Sequence, residues 1–98
     1  MSTEQLISIE LYCQHEELDI AFVQALGERG LIGFVMQEER PYIEPGQVAR
    51  LEQLVRLHVD LDINLEGIEA ISHLLDRVDR MQQEMRTLRE RLKVYEQG

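Results

Sequence analysis

The sequence contains no tryptophan, only two phenylalanines and three tyrosines, so its core has to be mostly aliphatic. A single cysteine, Cys13, cannot close an internal disulfide, which fits a reducing cytosol. No run approaches the roughly 20 apolar residues of a membrane span. The opening MSTEQLISIE lacks the basic start and long apolar stretch of a secretory signal. A cytoplasmic location with no membrane partner is therefore expected. Cations are scarce too, with 10 Lys and Arg against 19 Asp and Glu, a net charge of −9. Nucleic acid starts at an electrostatic disadvantage and a basic protein at an advantage. Ninety-eight residues allow one small core and not two.

Chemistry-bearing patterns are equally thin. Ser2, Ser8 and Ser72 have no nucleophile context. Gly30-Leu-Ile-Gly33 lacks the third glycine, the lysine and the following helix of a phosphate loop. Cys13 and His15 stand two residues apart, which on a helix turns them to different faces, and no cysteine follows. His58 and His73 are isolated and read as ordinary helix-face residues. No catalytic residue, metal ligand or cofactor site is expected, and the chain is not read as an enzyme.

What the sequence does carry is a long apolar seam near its end. Ile71, Leu74, Val78, Met81, Met85, Leu88, Leu92 and Tyr95 follow at alternating steps of three and four, an unbroken a/d heptad pattern. Neither Gly nor Pro interrupts it, and about 25 residues at 1.5 Å each give a seam of about 37 Å. A chain this short has nothing left to cover all of it, so a homodimer is expected. Parallel pairing would match Glu84 with Arg89 and Arg91 with Glu96, whereas an antiparallel register places Arg77 near Glu84. Leu75, at an e position, suggests an interface that is partly tertiary, and Met81 and Met85 an adaptable one.

Upstream, residues 1–5 read as a frayed end. Ser8 can cap a short helix over residues 9–15, and Asp19 a second one carrying Phe22, Val23 and Leu26 on one face and stopping at Gly30. Two short helices across a tight turn make a helix-turn-helix. Residues 32–36 and Pro41-Tyr-Ile43 are β-prone runs across the polar link of residues 37–40, a hairpin or wing. Pro45 suits the first turn of a third helix through Val48, Leu51, Leu54 and Val55. Asn64 then caps the long helix, with Gly67 expected to let the third helix approach closely. The resulting fold is mainly α, a winged helix-turn-helix at 1–63 with a short hairpin wing, followed by a coiled-coil-like helix for self-association at 64–98.

That order resembles the MerR-type winged-helix regulators. The residues carrying the likeness are Gly30-Leu-Ile32, Tyr42-Ile43, Pro45-Gly-Gln-Val-Ala-Arg-Leu51, Arg56-Leu-His-Val-Asp-Leu61 and Asn64-Leu-Glu-Gly-Ile-Glu-Ala-Ile71. More closely, from about Leu6 to Glu96, the chain resembles the CbpM chaperone modulators, a MerR-like offshoot. The resemblance implies a cytosolic dimer that binds the J-domain of a DnaJ-like co-chaperone of the CbpA type. Such binding blocks stimulation of Hsp70 and opposes the co-chaperone's DNA binding.

The residues themselves weigh this against the alternative, a MerR-family DNA-binding transcriptional regulator. The recognition helix, residues 19–28, contains no cation, and Gln24 is its one uncharged polar reader. Residues 1–47 hold two arginines, Arg29 and Arg40, against nine carboxylates, a net charge of −7. Phosphate contacts need cations, so DNA is the weaker partner here. J-domains present a basic helix beside a His-Pro-Asp loop, to which an acidic surface is complementary. Two acidic faces are available. The corner between the third and fourth helices holds Asp60, Asp62, Glu66 and Glu69, and the resemblance, strongest there, favours it. The helix-turn-helix face holds Glu16, Glu17 and Asp19.

Overall fold

The computed structural model describes residues 5–97, and the frayed start expected over residues 1–5 falls, for residues 1–4, outside them. The order of elements is β1 (Ile7–Ser8), α1 (Ile9–Glu16), α2 (Ile20–Glu28), β2 (Phe34–Gln37), β3 (Arg40–Ile43), a 3₁₀ turn (Pro45–Gln47), α3 (Val48–Leu61) and α4 (Leu65–Gln97). The molecule is mainly helical, with a winged helix-turn-helix head and one long C-terminal helix.

The helix ends follow from identifiable side chains. The Ser8 hydroxyl accepts from the Leu11 amide at 3.2 Å and opens α1. The Asp19 carboxylate accepts from the Ala21 amide at 3.0 Å and opens α2. Gly30, at φ 74°, ends α2 by letting the Leu31 amide return to the Leu26 carbonyl at 2.9 Å. Pro45 starts the turn ahead of α3. Asn64 opens α4, its side-chain oxygen accepting from the Gly67 amide at 2.8 Å.

Local signals mislead in three places. A strand β1, not expected from the sequence, pairs antiparallel with β3 (Ile7 opposite Ile43) and makes the sheet three-stranded in the order β1-β3-β2. The wing is tighter than expected: Gln37 and Arg40 pair with each other, so the link shrinks from four residues to Glu38-Glu39. Its first strand starts at Phe34, while Ile32 is buried in the loop ahead of it. Gly67 serves a different neighbour from the one expected. A Cβ there would stand 2.7 Å from Ile63 Cγ2, so it is the α3–α4 link, and not α3 itself, that needs the space.

The core gathers one face from each helix and from β3. Ile9 and Cys13 of α1, Val23 and Leu26 of α2, Ile43 of β3, and Leu51, Leu54 and Val55 of α3 meet Ile32 and, from α4, Ile68. His58 ties the α3–α4 link down. Its ring stacks on Phe22 with centroids 4.0 Å apart, and its Nδ1 lies 2.9 Å from the Ile63 carbonyl, so Nδ1–H donates. From Asp76 to Gln97 every residue of α4 is exposed, and the helix continues unbroken through Asp76.

Candidate interaction surfaces

Two arginines fasten α4 to the head. Arg29, just past α2, reaches Glu69 at 2.9 Å and Glu66 at 3.6 Å. Arg50 of α3 reaches Asp76 at 2.7 Å and Asp79 at 3.7 Å, with its Nη1 3.5 Å from the Ser72 hydroxyl. A third, Arg40 at the wing, lies 3.6 Å from Glu10. Of the four arginines among residues 5–63, Arg56 alone makes no ion pair among the described residues.

These pairs change what the acidic corner can offer. Glu66 and Glu69 share a helix face, as their spacing implies, and that face looks onto Arg29. Asp62 sits at φ 57° as the C-terminal cap of α3, its amide donating to the His58 carbonyl. Asp60 is exposed two residues earlier, near the end of α3. The corner thus splits into a pair facing an internal cation and two carboxylates with no ion pair among the described residues. The other acidic face is committed to structure as well. Glu16 contacts His15 at 3.0 Å, Glu17 caps α1 at φ 56°, and Asp19 caps α2.

A surface that sequence reasoning passed over lies between α2 and the wing. Gln24, Gly27 and Glu28 on one side, and Phe34, Met36, Glu39 and Pro41 on the other, enclose a groove of about 470 Å³. The alternation of the wing strands puts Phe34 and Met36 on the face that Pro41 and the core residue Ile43 share. Met36 continues that face outward and is 61% exposed. The signal available was the i, i+2 apolar series Ile32, Phe34, Met36, which runs out to the wing tip before Glu38 ends it.

The seam is bare over most of its length. Ile71 is half-buried, while Leu74, Val78, Met81, Met85, Leu88, Leu92 and Tyr95 are exposed, the least of them Val78 at 47%. Leu75 is half-buried.

Cys13 faces inward and His15 outward, so they do not converge. Among the described residues, no group of three His, Cys, Asp or Glu could hold a metal ion. Burial, and secondarily the Asp19 carboxylate, pushes the Cys13 thiol above its usual 9.0. Burial, then the carboxylates of Glu52 and Glu16, raises the neighbouring Tyr12. Both groups are held protonated by folding, so their stabilisation is complete at neutral pH and is lost as pH climbs through the folded-state values. Alkylation of Cys13 by iodoacetamide at pH 8 is expected to run at least tenfold slower than in the urea-unfolded chain. Equal rates would place the thiol at the surface.

Two short helices across a tight turn, a hairpin wing and a long helical arm define a winged helix-turn-helix protein. The model of the MerR HTH family of regulatory proteins matches residues 7–90, and the chain belongs to that family. No curated protein and no solved structure matches it. Among the described residues, no helix is long and apolar enough to cross a membrane.

Proposed function

We propose that this MerR-family chain regulates by binding a protein and not DNA: a non-enzymatic, cytoplasmic chaperone modulator of the CbpM type. It occupies the J-domain of a DnaJ-like co-chaperone, withholding that domain from Hsp70 and opposing the co-chaperone's DNA binding. A second copy covers the seam of α4. The observation that carries the reading is the state of the head's cations. The outward face of α2 presents Ala21, Gln24 and Glu28, and Arg29, Arg40 and Arg50 lie against the chain's own carboxylates. A DNA phosphate approaching this face meets carboxylates in place of the several cations that supply non-specific affinity.

Titration calorimetry against an isolated CbpA-type J-domain, at low and high salt, tests this. Micromolar or tighter binding that weakens with salt is expected. No heat at 100 μM would overturn it, as would tighter binding to a DNA duplex, because the winged helix-turn-helix otherwise favours a transcriptional regulator. The corner is tested in the same assay. Charge reversal of Asp62, Glu66 and Glu69 together lowers affinity at least tenfold if the J-domain docks there, and an unchanged affinity removes the corner.

A further inference from the structure

The groove between α2 and the wing has features that neither the family nor the acidic corner accounts for. Its floor is made by Gly27, where even a methyl group would fall 2.4 Å from the Phe34 ring, so ring and helix backbone are packed as closely as they can be. Phe34 is half-buried, and Met36 carries the apolar surface out to solvent. Met is flexible and polarisable, which suits a surface that adapts to an entering side chain.

The rim is anionic on both sides, with Glu28 on α2 and Glu39 on the wing. The wing tip holds its charge in an unfavourable backbone. Glu38 and Glu39 sit at φ 52° and 65°, the left-handed pair of a two-residue hairpin turn in which Asn-Gly is preferred. Each such position costs about 1 kcal/mol relative to glycine. No cation lines the groove.

We propose that this groove docks a basic amphipathic helix of a partner protein. One apolar side chain of that helix enters between Phe34 and Met36, and its Lys or Arg side chains meet Glu28 and Glu39. The proposal rests on the reading that the chain acts on a protein, and it assigns to that reading a surface other than the corner. Opposite charge selects the occupant, since an acidic or purely apolar helix would leave the rim carboxylates desolvated and unpaired. The exposed apolar face gives the contact an anchor that paired surface charges alone would lack.

Two titrations separate the groove from the chaperone reading. In the first, the full chain labelled with ¹⁵N receives a synthetic helix of Leu and Lys at three- and four-residue spacing. Amide shifts are expected at residues 24–28 and 34–41. The double variant Glu28→Gln with Glu39→Asn is expected to bind that helix at least tenfold more weakly, and Met36→Ser to weaken it as well. Asn tolerates the left-handed position better than Glu, so the double variant keeps its wing and its loss cannot be assigned to unfolding. Shifts confined to other acidic surfaces, or an unchanged affinity of the double variant, would overturn the groove. In the second titration, the J-domain is added to wild type and to the double variant. A tenfold loss in the variant supports the groove as the docking surface. Full retention overturns the groove and leaves the chaperone reading standing. If wild type binds no J-domain yet the synthetic helix passes both of its tests, the groove stands and the chaperone reading falls.

Discussion

Replacing Ile68 by alanine is expected to destabilise the head by about 2–5 kcal/mol, the range for truncating a fully buried aliphatic side chain. Ile68 has no exposed surface and is the one buried hydrophobic residue that α4 contributes to the core. It lies in the first turn of α4, where the Gly67 position brings the Ile63 link in close, so the cavity left by truncation has little freedom to collapse. A head of this size is stable by about 5–15 kcal/mol in total, so the loss takes a large share of it. The thermal midpoint should drop by roughly 10 °C or more. Truncating Leu74, two turns on and mostly exposed, should leave the stability of the head within about 0.5 kcal/mol of wild type. A change below about 1 kcal/mol at Ile68 would mean that the arginine clamps, and not this residue, hold α4 in place.

The second large effect belongs to the seam. Met81→Glu combined with Met85→Glu places carboxylates one turn apart at the middle of the exposed stripe. Sedimentation is expected to show the wild type as a dimer at micromolar concentration and the double variant as a monomer, with the dissociation constant raised at least a hundredfold. A monomeric wild type would defeat the expectation outright. Charge along the chain bears on which way two arms lie. Residues 77–98 carry six cations and four carboxylates, and residues 1–76 four cations and fifteen carboxylates. Antiparallel pairing brings each cationic arm end toward the acidic start of its neighbour's α4, whereas parallel pairing sets like ends together. A Leu92→Cys variant, on the seam itself, reports the outcome. In a parallel pair the two thiols face each other across the seam and cross-link. In an antiparallel pair they are separated by most of the seam and do not.

Much of the head was legible because its signals are local. Ser8, Asp19 and Asn64 each begin a helix by a bond to an amide two or three residues away, and Gly30 ends one with a left-handed backbone that few other residues adopt readily. What escaped was either too short or too distant. A two-residue strand has no periodicity, and Ser8 serves it while also capping α1. The two-residue wing turn hid because Glu-Glu carries none of the Asn or Gly that announce such a turn. The pairing of Arg29 with Glu69 spans 40 residues, beyond any local pattern, yet it decides how much charge the corner keeps for a partner. The groove needed the strand register and the approach of Phe34 to Gly27, neither of which is written in composition or spacing.

The bare length of α4 has a consequence for the life of the protein. From Asp76 onward the helix lies on no core, and a lone helix of about 20 residues is only marginally ordered in water. Its order is therefore lent by whatever covers the stripe. A copy left uncovered frays from the C-terminal end and offers proteases an extended apolar segment, whereas a covered copy does not. If a second copy covers it, as proposed, turnover would track the fraction that is paired, and the steady amount of protein would settle near the concentration at which pairing sets in.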